Sequence, residues 1–452
     1  MPPTRLLRIV LPLLVLAFSA IAVAAGASAA TASLLAAPER CAALSTIEGL
    51  PHDLFAGRLS YWDSAGNQID VTHPALAELV ALSPGDACTD HWRAPAGSRS
   101  SLTFTIAVQP AAQGIVSLRI TPAEPSMVRA IDLCLPLAHH EHFFGLGERF
   151  SSLELAGRVL ENWTADPATV AQQPMTYAPT PFLLSSRGYG VLLDTTAHAT
   201  FDLRATARGC YAIRVDAPEL HLYLIGGPHP QTVVERHARL VGLPPLPPPW
   251  AFGVWKNLIG GAARVEADVR RLRQDEVPID AVWIYDATDE RVGFGWPWPI
   301  YGPIAPGAYP NLPGLIRRLH AQNLKVLGYL TPFLYPGSAG FAEARRRGFL
   351  VQAPDGQPSI EPWSFGERAY LDFTNPQATA WWQTRVRFAL VDLGFDGAML
   401  DFGEGAPADG RYASGQPGEL VHNQYPLLYQ RAAHEAAQAA KPGDMVFLAR
   451  GL

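Results

Sequence analysis

The sequence predicts two dissimilar domains in tandem, an all-β sandwich followed by a (β/α) barrel. Three observations carry that prediction. Residues 40–240 consist of short alternating runs broken by Gly, Pro, Asp and Asn. A proline-rich joint follows at Leu243-Pro244-Pro245-Leu246-Pro247-Pro248-Pro249-Trp250. Beyond the joint, fully apolar runs alternate with helical stretches.

In the first region, Leu102-Thr103-Phe104-Thr105-Ile106, Gly190-Val191-Leu192-Leu193 and Leu220-His221-Leu222-Tyr223-Leu224 read as strands. Many short strands separated by turn residues bury their apolar faces as two stacked sheets. The joint is stiff and extended, because each proline fixes its own φ. The boundary is therefore expected there, with the sandwich over 30–243 and the barrel over 244–452.

In the second region the candidate strands are 252–255, 281–285, 326–330, 397–400 and 445–448. Helices are expected over 262–275, 312–322, 376–392 and 424–440. Strands apolar on both faces need a parallel sheet covered by helices on both sides. A doubly wound sheet has the same rhythm, but no glycine-rich phosphate fingerprint follows the first strand. Polar residues instead gather where the strands end: Lys256-Asn257, Asp286, Thr331-Pro332, Asp401 with Glu404, and Arg450. In a barrel, that rim is where catalysis is built.

Length and composition bound the rest. At 452 residues the chain exceeds one ordinary core. With 48% hydrophobic and 17% charged residues it suits a packed globular protein. A net charge of -6, with no Lys/Arg run longer than Arg345-Arg346-Arg347, sets nucleic acid aside as a partner class. Arg5 and Arg8, an apolar stretch over 9–25 and Ala27-Ser28-Ala29 read as a signal peptide over 1–29, hence an exported protein. An uncleaved anchor is the alternative. No later segment is apolar enough for stable membrane insertion.

The four cysteines, Cys41, Cys88, Cys134 and Cys210, allow one or two disulfides, and three full pairings remain open. No CxxC or Cys/His cluster marks a metal site, and no cofactor is expected. Asn162-Trp163-Thr164 fits the N-glycosylation pattern.

Asp401 follows an apolar strand and precedes Phe402-Gly403-Glu404. Cleaving a glycosidic bond takes two carboxyl groups, at ~5–5.5 Å separation in the retaining version. A strand-end Asp can equally cap a helix. Glu404 lies in the same tight turn and reads as a loop cap or as an orienter of Asp401. Asp286 reads as an acceptor for sugar hydroxyls or as a loop cap. The aromatic loop with Phe294, Trp296, Trp298 and Tyr301 reads as a wall for sugar rings.

At this point several motifs occur in one order. They are Phe144-Gly145-Leu146-Gly147-Glu148, Trp250-Ala251-Phe252-Gly253 and Asp372-Phe373-Thr374-Asn375-Pro376 with Trp381-Trp382. Gly394-Phe395-Asp396-Gly397 then runs into Leu400-Asp401-Phe402-Gly403-Glu404. The set resembles glycoside hydrolase family 31, the α-glucosidase, α-xylosidase and sulfoquinovosidase group. The resemblance implies a galactose-mutarotase-like β-sandwich followed by a (β/α)8 TIM barrel, incomplete in this chain. It implies that Asp401 is the nucleophile of a retaining exo-acting α-glycosidase, that Asp286 binds the sugar, and that Arg450 contacts the sugar or Asp401. The substrate is then a small-molecule or oligosaccharide α-glycoside.

The family's acid/base Asp is expected downstream of Leu452, so this stretch alone is expected to be inactive. Arg291-Val292-Gly293-Phe294-Gly295-Trp296 and His422-Asn423-Gln424-Tyr425-Pro426 resemble sulfoquinovosidase segments, with Phe294 and Tyr425 replacing Trp. They imply substrate contacts from Arg291, Phe294, Trp296, Trp298, Glu404 and His422, and make sulfoquinovosides a substrate alternative. About five strands are counted where a barrel has about eight. A non-catalytic carbohydrate-binding protein on a truncated barrel is the rival reading.

Overall fold

The computed structural model describes residues 49–51, 54, 57–71, 88–93, 102–166, 174–206, 209–284, 286–287, 307–363, 366–443 and 445–451. The signal-peptide reading and the loop bearing Arg291, Phe294, Trp296 and Trp298 lie outside the described residues.

The first domain contains thirteen described strands: β1 (Arg58–Asp63), β2 (Gln68–Val71), β3 (Cys88–Arg93), β4 (Thr103–Ala112), β5 (Ile115–Pro122), β6 (Val128–Pro136), β7 (Phe143–Gly145), β8 (Val159–Asn162), β9 (Phe182–Ser185), β10 (Tyr189–Leu193), β11 (Ala199–Asp202), β12 (Cys210–Val215) and β13 (Leu220–Gly226). They form two antiparallel sheets, ordered β2-β1-β6-β12-β11-β8 and β3-β4-β5-β13-β10-β9-β7. Alternation explains the stacking: on β4, Phe104, Ile106 and Val108 are buried while Thr103, Thr105 and Ala107 between them are only partly so. A disulfide joins Cys134 on β6 to Cys210 on β12 across 76 positions of sequence. A cross-link over a loop that long stabilises by about 4 kcal/mol, mainly by restricting the unfolded chain. Asn162 is buried in β8, which argues against glycosylation of the folded chain there.

Helix α1 (Pro230–Val241) lies against β10 and β13, where the sequence reading expected only strands. Its Val233 fills a cluster with Ile115, Phe182, Leu192 and Ile225. Pro230 at its first turn was the available signal.

The second domain runs β14 (Trp255–Asn257), α2 (Ala262–Gln274), β15 (Ala281–Trp283), α3 (Leu312–His320), β16 (Lys325–Leu330), β17 (Phe333–Leu334), α4 (Ala339–Arg347), β18 (Glu361–Trp363), β19 (Gly366–Tyr370), α5 (Pro376–Arg387), β20 (Gly397–Leu400), α6 (Gly418–His422), α7 (Tyr425–Ala440) and β21 (Val446–Ala449). Strands β14-β15-β16-β20-β21 form one parallel sheet in that order. Their apolar residues pack against the helices in a single large core. The register pairs Leu330 with Leu400 and Leu400 with Ala449. Thr331, Asp401 and Arg450 therefore leave the sheet at one level.

The first barrel strand begins at Trp255 rather than 252. A 3-10 turn over Pro249–Phe252 continues the proline run, and Phe252 is 70% exposed. Helix 376–392 divides into α5 and a π-helical turn over Phe388–Leu393, closed by Gly394 at φ 94°.

Two of the ordered motifs prove to be architecture. Asp372 accepts from Thr374 N (2.9 Å), Thr374 Oγ1 (2.6 Å) and Ala413 N (2.7 Å). Asn375 caps α5 through Gln377 N, Pro376 fills the first turn, and Trp382 is fully buried beneath. In the other motif, Gly145, Leu146 and Gly147 all have positive φ. A Cβ on Gly147 would lie 2.1 Å from the Ala178 carbonyl oxygen, so the chain can pass there only as glycine.

Candidate active site

Asp401 stands immediately after β20, 5% exposed. Phe402 follows at φ 65°, a left-handed conformation rare for an aromatic residue. That turn brings its N–H back onto Asp401 Oδ1 at 3.0 Å. Arg450 Nε, one residue past β21, lies 3.1 Å from the same oxygen. Oδ2 accepts a hydrogen bond from the Tyr329 hydroxyl of β16. Three adjacent strands thus converge on one carboxylate.

Glu404 is 1% exposed and pairs with Arg450 Nη2. Burial pushes both carboxyls above their ordinary values, against the pull of Arg450 and, at Asp401, of Tyr329. Burial alone would lower Arg450; Glu404, Asp401 and Asp166 outweigh it and hold the guanidinium above its ordinary value. Burial, reinforced by Asp401, raises Tyr329 well above a normal tyrosine, so it remains a donor at neutral pH.

Arg450 is also stacked, its guanidinium 4.2 Å from the Phe402 ring and 4.9 Å from the Tyr177 ring. Tyr177 belongs to the first domain. Its hydroxyl donates to Asp166 Oδ1 at 2.7 Å, and Asp166 Oδ2 lies 3.5 Å from Arg450 Nη2.

Asp286 lies three residues past β15 and is 4% exposed. Gly260 N donates to its Oδ2 at 2.7 Å, and the Tyr309 hydroxyl to its Oδ1 at 2.5 Å. Gly260 and Gly261 both have φ above 90°, which lets the turn after β14 point an amide at this carboxylate. Trp283 of β15 and Tyr329 of β16 stack on neighbouring strands, centroids 6.4 Å apart.

His422 sits elsewhere. Its Nδ1 is 2.6 Å from the Ala406 oxygen and its Nε2 2.8 Å from the Thr164 oxygen, while its ring stacks on Trp163 at 3.9 Å. Burial lowers its basicity, opposed by the two carbonyls. The neighbouring Asn423 accepts from Thr164 N and donates to the Asn162 oxygen. The segment that resembled a sugar contact therefore fastens the barrel to the sandwich. Thr331 likewise closes a turn, donating to the Phe333 oxygen at 3.3 Å.

Sequence reasoning missed Tyr329, Tyr309, Tyr177 and Asp166. Tyr329 lies inside the apolar run Val326-Leu327-Gly328-Tyr329-Leu330, where it reads as packing. Its hydroxyl, one residue from the strand end, was the only signal. No group of three or more His, Cys, Asp or Glu that could hold a metal occurs among the described residues. No described helix is long and apolar enough to cross a membrane.

A buried carboxylate with cationic and phenolic partners, on the C-terminal rim of a parallel β/α sheet, defines a barrel-enzyme class of site. Residues 244–451 match the family described as the glycosyl hydrolases family 31 TIM-barrel domain, and residues 57–202 match its N-terminal galactose mutarotase-like domain. The chain belongs to glycoside hydrolase family 31, whose glycosidases are retaining and act on α-glycosides.

The alpha-xylosidase XylQ of Lactiplantibacillus pentosus is 31% identical over 70% of this chain and 41% of its own length. The sulfoquinovosidase of Escherichia coli K12 is 24% identical over 88% of this chain and 60% of its own. The chain thus spans about half the length of these curated relatives. A solved family 31 sulfoquinovosidase from E. rectale superposes with a TM-score of 0.71 at 22% identity, over 88% of this chain and 62% of that one, which shows the shared fold.

Proposed function

We propose that the full-length protein is a retaining exo-acting α-glycosidase whose nucleophile is Asp401. One observation carries this reading: a buried carboxylate at a strand end, anchored by Arg450 and Tyr329 so that its position is fixed before substrate arrives. Asp401 attacks the anomeric carbon, and the glycosidic C–O bond breaks as the ester to Asp401 forms. A carboxylic acid protonates the leaving oxygen, then as carboxylate takes a proton from the water that hydrolyses the ester. Glu404 is engaged by Arg450, so we assign that acid/base role to no residue of this chain.

Asp286 is the proposed acceptor for sugar hydroxyls, pre-oriented by Gly260 and Tyr309. Arg291, Phe294, Trp296 and Trp298 are proposed as the substrate-selecting wall on the strength of their sequence alone. If Arg291 meets an anion, sulfoquinovosides are the substrate; α-xylosides and α-glucosides are the neutral alternatives. Export is part of this reading and rests on residues 1–29.

The test is full-length protein on 4-nitrophenyl α-glucoside, α-xyloside and α-sulfoquinovoside. Asp401→Asn is expected to lower turnover of the best substrate by about 10⁴-fold or more, on the scale of losing a covalent nucleophile. Wild-type turnover in that variant would overturn the assignment.

A further inference from the structure

The sandwich domain reaches the nucleophile through an arm built of two chain segments. Glu161 N donates to the Pro174 oxygen and Ala165 N to the Thr176 oxygen, both at 2.9 Å, which ties 161–165 alongside 174–176. Arg149 gathers the same segments from beneath, donating to the carbonyls of Leu146 (2.9 Å), Glu161 (2.8 Å) and Pro174 (2.6 Å). Trp163, Thr164 and Asn162 are then fastened to His422 and Asn423 of the barrel. The arm presents Asp166 and Tyr177 to Arg450.

We propose that Asp166 and Tyr177 are positioning residues for the hydrolysis, holding Arg450 against Asp401 from the sandwich side. This rests on the nucleophile assignment above. The geometry gives each a distinct part. Arg450 Nη2 is shared between Glu404 and Asp166, while its Nε is left for Asp401. Tyr177 supports the guanidinium face with its ring and fixes Asp166 with its hydroxyl. Without Asp166 the outer edge of the guanidinium loses its anchor, and rotation about the Arg450 side chain would carry Nε away from Asp401.

The charge balance supplies a readout that a merely structural role would not move. Asp401 faces Arg450 just past β21, Tyr329 of β16, Tyr429 of α7, Tyr335, Glu404 and Asp166. Of these, Asp166 adds negative charge from the sandwich and so raises Asp401. Removing that charge alone would lower Asp401, whereas losing Arg450 from beside it raises Asp401 by more, so a positioning role shows as a net upward shift.

The experiment compares full-length wild type with Asp166→Asn, Asp166→Glu, Tyr177→Phe and Asp401→Asn on the best 4-nitrophenyl glycoside. Asp166→Asn is expected to lower kcat/KM about tenfold, mostly in kcat, the scale of one charge-assisted contact. Its acidic limb is expected to move to higher pH, because Asp401 loses more from a displaced Arg450 than it gains from the missing Asp166 charge. Asp166→Glu is expected to restore both in part, and Tyr177→Phe to lower kcat about threefold through the lost hydrogen bond. Wild-type kcat and acidic limb in Asp166→Asn would overturn the proposal. So would a rise in KM alone, which would make Asp166 a substrate contact instead. Asp401→Asn separates the two claims: full activity there sinks the nucleophile reading, whereas inactivity beside a wild-type Asp166→Asn sinks only this inference.

Discussion

Strand β20 carries an aspartate at each end, and the two are held in opposite ways. Asp396, before the strand, is 6% exposed; Asp401, after it, is 5% exposed. At Asp396 the start of β16 and the end of α3 supply the partners directly. Val326 N donates at 2.9 Å, Lys325 Nζ lies 3.1 Å away and His320 Nε2 2.7 Å away. At Asp401 the strand's own geometry provides only the Phe402 amide, and the remaining partners are long side chains from β16 and β21. Burial wins there and the carboxyl is raised. Equal burial therefore does not mean equal purpose. The bottom of the barrel fastens the sheet, and the top keeps a charge under tension.

The widest test of that contrast is Asp401→Asn, with activity lost by about 10⁴-fold and stability kept. The sign follows from linkage. A carboxyl raised in the folded state favours folding only in its protonated form, and that contribution is lost as pH rises through the folded value. Replacing it with an amide should leave the melting temperature at neutral pH unchanged or higher, measured by calorimetry.

Asp396→Ala is the mirror case. It removes the buried carboxylate that Lys325, His320 and the Val326 amide share, and should cost about 3 kcal/mol of unfolding free energy by denaturant titration. Its kcat per folded molecule should equal wild type. A large fall in kcat would erase the distinction between the two ends.

Tyr329→Phe sharpens the upper end. It removes a donor that lowers Asp401, so the acidic limb of the rate profile should move to higher pH and kcat should fall about tenfold. The smallest effect belongs to a position that contacts neither aspartate through a hydrogen bond, the cap of α5. Asn375→Ala removes the cap of α5 and should cost about 1 kcal/mol with no change in the pH profile.

Much of this was legible from period and punctuation. Apolar runs placed β16, β20 and β21 to within a residue or so, because strands buried on both faces leave no ambiguity of pattern. Helix α1 was not legible against a strand-rich background, since its apolar face needs only Val233 to be fully buried. Strands β17 to β19 are two to five residues long, below what periodicity can resolve. Asp401, Glu404 and Arg450 could be read because charge at the end of an apolar run is conspicuous. Asp166 and Tyr177 could not. Their meaning depends on an approach across 284 and 273 positions of sequence to Arg450, which no local pattern encodes. His422 shows the converse: a motif conspicuous in the sequence, whose ring nitrogens are turned to main-chain carbonyls.

The row formed by Leu330, Leu400 and Ala449 has a consequence for how the chain reaches its final state. Side chains alternate along a strand, so a one-residue slip of β21 would swing Arg450 toward the helix layer. Asp401 and Glu404 would then be sealed in without a counter-charge, a state costing several kcal/mol. The guanidinium that anchors Asp401 and Glu404 thus also sets the free-energy penalty for a slipped register of β21.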